Sequence, residues 1–317
     1  MSTYYQIFGG KINVISADPS NPIKGQVWFN TATPALKYRA ATTAGAWATG
    51  GNLGTARRGL AGAGTQTAGL GFGGYDPNQS LTEEYDGTSW TAGGNLGTAR
   101  RALAGAGIQT AGLAIGGQTT VAVANTEEYD GTSWTGGGNL GTARRYLAGA
   151  GTQTVGLAFG GSTGVVTGAT EEYDGSSWTT GGTMATARQY LAGCGTQTAG
   201  LVFGGATTVS VNNTEEYDGS AWTAGGNLNT ARQQLAGAGI QTAGLAFGGS
   251  GPLSATEEYN GSTWTAGGSL GTARSILAGC GTQLSGLAFG GFAGGVNVTS
   301  TEEYSGAGTA VTKTVTS

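Results

Sequence analysis

The sequence predicts an all-β protein, a six-bladed β-propeller whose ring is closed by an N-terminal strand. Three observations carry that expectation. Four short motifs recur six times in one fixed order, and their tryptophans lie 43, 44, 44, 44 and 42 residues apart. Each unit also divides into four short apolar runs bounded by turn residues, which describes one propeller blade. The composition alone, with 65 glycines in 317 residues, leans towards disorder or fibres. Its 7 Trp, 12 Tyr and 8 Phe recur at fixed places instead, which a disordered chain has no reason to do.

Taken in order, residues 1–42 read as an N-terminal β-hairpin or attachment segment and 43–317 as the propeller. In the first part, Val27-Trp28-Phe29 and residues 35–38 form two short strands around a turn. In the second, an arginine after Thr-Ala opens each unit, at Arg57, Arg100, Arg144, Arg188, Arg232 and Arg274. The run LAGAG is an inner strand, glycine-rich because backbones crowd towards a central axis. The more apolar TAGLAFGG follows, its Gly-Gly starting at Gly73, Gly116, Gly160, Gly204, Gly248 and Gly290. TEEY is the third strand, ending at Tyr85, Tyr129, Tyr173, Tyr217, Tyr259 and Tyr304. The fourth carries Trp47, Trp90, Trp134, Trp178, Trp222 or Trp264 before a Gly-Gly. Asp130-Gly131 and Asn260-Gly261 suit the tight turn between the last two strands. A helical repeat is disfavoured, since glycine costs a helix about 1 kcal/mol per residue.

The motif counts suggest how the ring closes. The last unit has TEEY at 301–304 but no tryptophan after it, whereas Ala46-Trp47-Ala48-Thr49-Gly50-Gly51 precedes the first complete unit. The N-terminal segment would then supply the outer strand of the final blade, which removes a sheet edge. The rival is a seven-bladed ring that recruits 26–30 and 36–39 as further strands. The tail at 310–317 reads either as an added strand or as a contact with a neighbouring copy.

The order Arg, Gly-Gly, Glu-x-Tyr-Asp, Trp resembles the kelch motif, six times in register over about residues 44–304. The resemblance implies a kelch-type propeller. Galactose oxidase, a kelch-family enzyme, takes its copper through histidine, which this chain lacks altogether. The segment Gly25-Gln26-Val27-Trp28-Phe29-Asn30 with Leu36-Lys37-Tyr38 resembles small β-modules in virion proteins of tailed bacteriophages, especially tail fibres. The alternative is an ordinary hairpin packed on the ring.

Charge and composition narrow the function. A net charge of −4 gives no general nucleic-acid footprint, and no run of 18 apolar residues implies membrane insertion. The start, MSTYYQIFGGK, lacks the basic and apolar regions of a secretory signal, which fits a virion protein made in the host cytoplasm. Without histidine, the usual triads and the usual zinc or copper sites are excluded. No catalytic residue, cofactor or metal is therefore expected, and the chain is read as a non-enzyme. Asp86-Gly87-Thr88-Ser89-Trp90 faintly echoes the Asp box of sialidases, but its spacing is wrong and it reads as a hairpin turn. Cys194 and Cys280 stand where other units carry Ala63, Ala106, Ala150 and Ala238, and read as small buried apolar residues. The six arginines are expected to act as struts, paired with carboxylates between neighbouring blades. The six tryptophans are expected to pack between blades.

The units disagree in two places. The stretch between Gly-Gly and TEEY runs 75–81, 118–125, 162–169, 206–213, 250–255 and 292–300. The pair after the fixed arginine is Arg58-Gly59, Arg101-Ala102, Arg145-Tyr146, Gln189-Tyr190, Gln233-Gln234 or Ser275-Ile276. In an up-and-down blade both connections emerge on one face, and the near-invariant Gln-Thr first turns emerge on the other. Loops on a rigid scaffold commonly carry recognition, although unconstrained loops also drift. Tyr75, Asp76, Asn78, Arg101, Arg145, Tyr146, Tyr190 and Gln233 are thus candidate binding residues. The preferred expectation is a phage tail-fibre or surface-appendage subunit whose partners are other virion proteins and a host-surface glycan or protein. A purely architectural virion protein and a free-standing lectin-like or glycan-hydrolysing propeller are the alternatives.

Overall fold

The computed structural model describes residues 12–19, 26–41, 45–307 and 310–314. These are all-β, with no helix among them. They form seven four-stranded sheets and a two-stranded ribbon of Phe292–Ala293 with Val296–Asn297. The chain divides into two compact units, Ala46–Tyr304 and Met1–Gly45 with Ser305–Ser317.

Six of the sheets repeat one β-propeller-like plan. The first runs Ala61–Thr65, Ala68–Phe72, Thr82–Tyr85 and Trp90–Ala92, in sequence order and antiparallel throughout. Its register sets Ala63 opposite Leu70, Leu70 opposite Glu84 and Tyr85 opposite Trp90, and equivalent pairs recur in later repeats. The last of the six joins Ala278–Gly281, Ser285–Phe289, Thr301–Ser305 and Ala46–Thr49.

The core lies between sheets. Ala61, Ala63, Leu70 and Phe72 of the first sheet pack against Leu96, Leu103, Ala114 and Tyr129 of the second repeat. An equivalent cluster joins Leu60 and Tyr85 to Cys280, Leu287 and Phe289. Gly62 shows why the inner strands need glycine. A Cβ there would lie 2.8 Å from the Gly279 carbonyl oxygen and 2.8 Å from the Phe289 ring, closer than either sheet can yield. Cys194 and Cys280 are buried and free, and burial pushes each thiol up to about 12.

The number of four-stranded sheets is seven, where six blades were expected. The extra sheet belongs to the other unit and runs Asn13–Ile15, Val27–Asn30, Ala35–Ala41, Ala310–Thr314. The hairpin expected around Val27 and Tyr38 is its centre, and the rival reading had already drawn strands from these residues. Asn13–Ile15 pairs with it in parallel, and Ala310–Thr314 adds on the other edge, so the C-terminal segment groups with the N-terminal one. Asp18 fastens the hairpin. It accepts from Lys37 Nζ at 2.7 Å, Trp28 Nε1 at 3.0 Å and Asn30 Nδ2 at 2.6 Å, and these bonds hold its carboxyl down to about 2.

Candidate functional site

The residues that repeat identically build the frame. Arg144 is fully buried, and its Nη2 donates to Glu171 Oε1 at 2.8 Å while Nη1 donates to the Gly160 and Ala169 carbonyls. Burial draws these guanidiniums down, Arg188 to about 10, and the facing glutamate opposes that. The expected pairing between neighbouring blades is not what the geometry gives. Each arginine precedes an inner strand and folds over its own sheet, so Arg57 meets Glu83, Arg100 Glu127, Arg188 Glu215, Arg232 Glu257 and Arg274 Glu302. Its backbone is what reaches the preceding repeat: Arg144 O accepts from Gly117 N at 2.8 Å and Arg144 N donates to Val123 O at 3.3 Å.

Three other side chains tie sheet to sheet. The Tyr129 hydroxyl donates to Glu84 Oε1 at 2.6 Å, and Tyr85 does the same to Glu303. Each tryptophan reaches back one sheet. Trp134 Nε1 donates to Thr82 Oγ1 at 2.9 Å, with its ring 4.8 Å from Phe72. Trp47, Trp90, Trp178, Trp222 and Trp264 make the same indole bond to Thr256, Thr301, Thr126, Thr170 and Thr214. Gln153 of the third first-turn donates to the Gly112 and Tyr129 carbonyls of the second sheet. The Gln side chains give the first turns a structural reason for constancy that the sequence reading lacked.

The two variable stretches meet in space. Arg58 and Tyr75 exchange both backbone hydrogen bonds, at 3.0 and 2.8 Å, and Arg101 with Gln118 and Arg145 with Ser162 do likewise. The residue after each of these positions joins a cycle of backbone bonds. Ala102 N donates to Gly59 O, Tyr146 to Ala102, Tyr190 to Tyr146, Gln234 to Tyr190, Ile276 to Gln234 and Gly59 to Ile276, at 2.8–3.0 Å. All six residues have φ between 54° and 62°, and only one is glycine. A left-handed backbone strains a side-chain-bearing residue by about 1–2 kcal/mol, most for β-branched Ile276. The six collar residues, together with the leucine that follows each of them (Leu60, Leu103, Leu147, Leu191, Leu235 and Leu277), line an open pocket of about 80 Å³.

Cations and rings surround the collar. The Arg101 guanidinium sits 4.4 Å from the Tyr75 ring centroid and donates to Asn78 Oδ1 at 2.6 Å. Arg58 lies 5.2 Å from the same ring and 4.6 Å from Phe292, and Arg145 lies 5.3 Å from Tyr146. Tyr146 and Tyr190 stack with centroids 4.0 Å apart. Burial and then Tyr146 push the Tyr190 hydroxyl up, while Arg145 and Arg101 pull it back. Of the residues singled out from sequence, Tyr75, Asn78 and Arg101 form one cluster, and Arg145, Tyr146 and Tyr190 a second on the same collar. Asp76 is exposed, and Gln233 enters through its backbone, accepting from Ser250 N at 2.8 Å. The sequence reading left Arg58, Gln118, Gln234, Ile276 and Phe292 out of the candidate set, although all five lie in the two variable stretches.

No protein-family model matches the chain, and no curated protein matches it either.

Proposed function

We propose that this chain is a non-enzymatic phage virion protein, a tail-fibre or surface-appendage subunit, that presents one divergent face to a host-surface glycan or protein. The observation that carries the reading is the meeting of the two variable stretches around the collar, where five side-chain-bearing residues hold a left-handed backbone. Backbone strain clusters at functional sites, and here it falls at positions whose residue types differ from repeat to repeat.

The finer fold in this reading is a six-bladed kelch-like propeller closed by the N-terminal strand. The sheet order that sets Ala46–Thr49 beside Thr301–Ser305 supports it, as does the six-membered cycle of backbone bonds. The non-enzymatic part rests on the carboxylates. All twelve TEEY glutamates are engaged, the first of each pair by an arginine and the second by a tyrosine, which leaves none of them for acid–base work. The virion part rests on the N-terminal hairpin and its resemblance to phage modules.

A second reading, an architectural virion subunit, is favoured by Val121, Val165, Val209 and Val296, which are all exposed on the loops of this face. Mass spectrometry of purified particles tests the virion assignment. Alanine at Tyr75, Asn78, Arg101, Arg145, Tyr146 and Tyr190 should then abolish binding to cells of the infected bacterium. Unchanged binding across that set removes the recognition reading and leaves the architectural one.

A further inference from the structure

The unit Ala46–Tyr304 carries nine arginines against seventeen carboxylates. Six of the arginines are buried in ion pairs with TEEY glutamates. The other three, Arg58, Arg101 and Arg145, follow those struts in three consecutive repeats and converge on one part of the collar. None of them forms an ion pair among the described residues, and Arg58 and Arg145 donate no side-chain hydrogen bond there. Arg145 Nε is buried without a partner.

This is an unfavourable place for three cations. Arg58 and Arg101 both lean on the Tyr75 ring, and neither has a carboxylate at ion-pair distance among the described residues. Asp76, next along the chain, pairs with neither. The remaining half of the collar offers Gln189, Gln233 and Ser275 at the equivalent positions, so the charge is gathered on one side. An anion between the forks would satisfy several free donors at once, which is the arrangement guanidinium planes favour.

We propose that this side of the collar binds an anionic saccharide, with Arg58, Arg101 and Arg145 contacting its carboxylate or sulfate and Tyr75, Tyr146 and Tyr190 lying against the sugar rings. The inference rests on the glycan-recognition reading above and names its ligand class. Half-buried aromatic rings beside amides suit the mixed polar and apolar faces of a sugar. The pocket between the collar residues and the six leucines is lined by no cationic side chain, so the ligand's charge is met outside it and only a small substituent fits within. A nucleic acid fits less well, because eight more acids than bases over the unit repel a strand with one charge on every nucleotide more than a saccharide that carries its charges sparsely.

Titration calorimetry on the full chain tests this with four probes: a uronic-acid hexasaccharide, a sulfated dextran oligosaccharide, neutral dextran and a single-stranded oligonucleotide. Binding of the uronate or the sulfated probe is expected, weakening as salt rises. Arg101→Gln and Arg145→Gln should each weaken it about tenfold, with Arg101→Lys intermediate and melting temperatures unchanged. The better of the two anionic probes identifies the anion. Binding of neutral dextran alone overturns the inference yet leaves glycan recognition standing. Preference for the oligonucleotide overturns it in favour of nucleic acid. Loss of all binding, together with chains that no longer attach to cells, overturns both the inference and the reading beneath it.

Discussion

The Tyr129 hydroxyl and the Glu84 carboxylate meet at 2.6 Å across two successive sheets. The pair explains why the TEEY string is fixed. Tyr and the second Glu of each copy point to opposite sides, so every copy donates to the sheet before it and accepts from the sheet after it. The same phenol oxygen accepts from Gly94 N at 3.4 Å, which leaves the buried group fully occupied.

These tyrosines give the protein an alkaline limit. Burial first, and then the facing glutamate, push Tyr85, Tyr129, Tyr173, Tyr217 and Tyr259 from 10.0 up to about 12. A pKa raised on folding means that the folded state holds protons the unfolded state has lost. The stabilisation is therefore complete below pH 10 and falls between about pH 10 and 12. Urea unfolding across that range should show the decline. Tyr129→Phe should lower stability at neutral pH by about 1–2 kcal/mol and flatten the alkaline slope.

Gln153 clamps one sheet to the next. Its Nε2 satisfies the Gly112 carbonyl at 3.2 Å and the Tyr129 carbonyl at 2.6 Å. Gln153→Ala should cost about 1–3 kcal/mol, since both carbonyls lose their donor. Thermal unfolding reads that loss, and the affinity for cells should not move.

Ile276 holds φ at 54° in the collar. Ile276→Gly removes a side chain and also a conformation that side chains resist. The melting temperature should stay level or rise, against the loss of about 2–5 kcal/mol that such a truncation brings in a packed core. Gly59→Ala, at φ 62°, should lower stability by about 1 kcal/mol.

Trp47 tests the closing strand. Its indole donates to Thr256 Oγ1 at 2.9 Å and its ring lies 4.9 Å from both Phe247 and Tyr304. Trp47→Ala should cost as much as Trp134→Ala, about 3–5 kcal/mol. A silent Trp47→Ala would separate the N-terminal strand from the stability of the repeats.

Much of this architecture was legible in the sequence because six copies average out chance. The strands, their order and the hairpin turns follow from glycine placement and alternation. The strut arginines were legible as framework, but their direction was not. An arginine placed before an inner strand can turn to either sheet, and here it turns to its own, where the Glu171 carboxylate and the Gly160 and Ala169 carbonyls receive it. The Tyr–Glu tie was hidden for a related reason, since alternation sets Glu84 apart from Tyr85 without naming its partner. Gln153 looked like an ordinary turn residue, although its constancy in all six units was the available signal. The seventh sheet was legible in part: its central strands and the added C-terminal strand were readings of the sequence, but Asn13–Ile15 is only three residues long and gave no signal. At the collar, the two variable columns of the sequence come together in space. Their left-handed backbone could not be read, since only Gly59 announces it.

The measurement that bears most directly on the account is hydrogen–deuterium exchange of the full chain, with and without the proposed kind of ligand, the uronic-acid hexasaccharide. The account predicts protection at 58–60, 75–81, 101–103, 118–125 and 145–147, with the first turns at 65–67, 109–110 and 153–154 unchanged. Protection gathered at those first turns, with the collar unaltered, would contradict it.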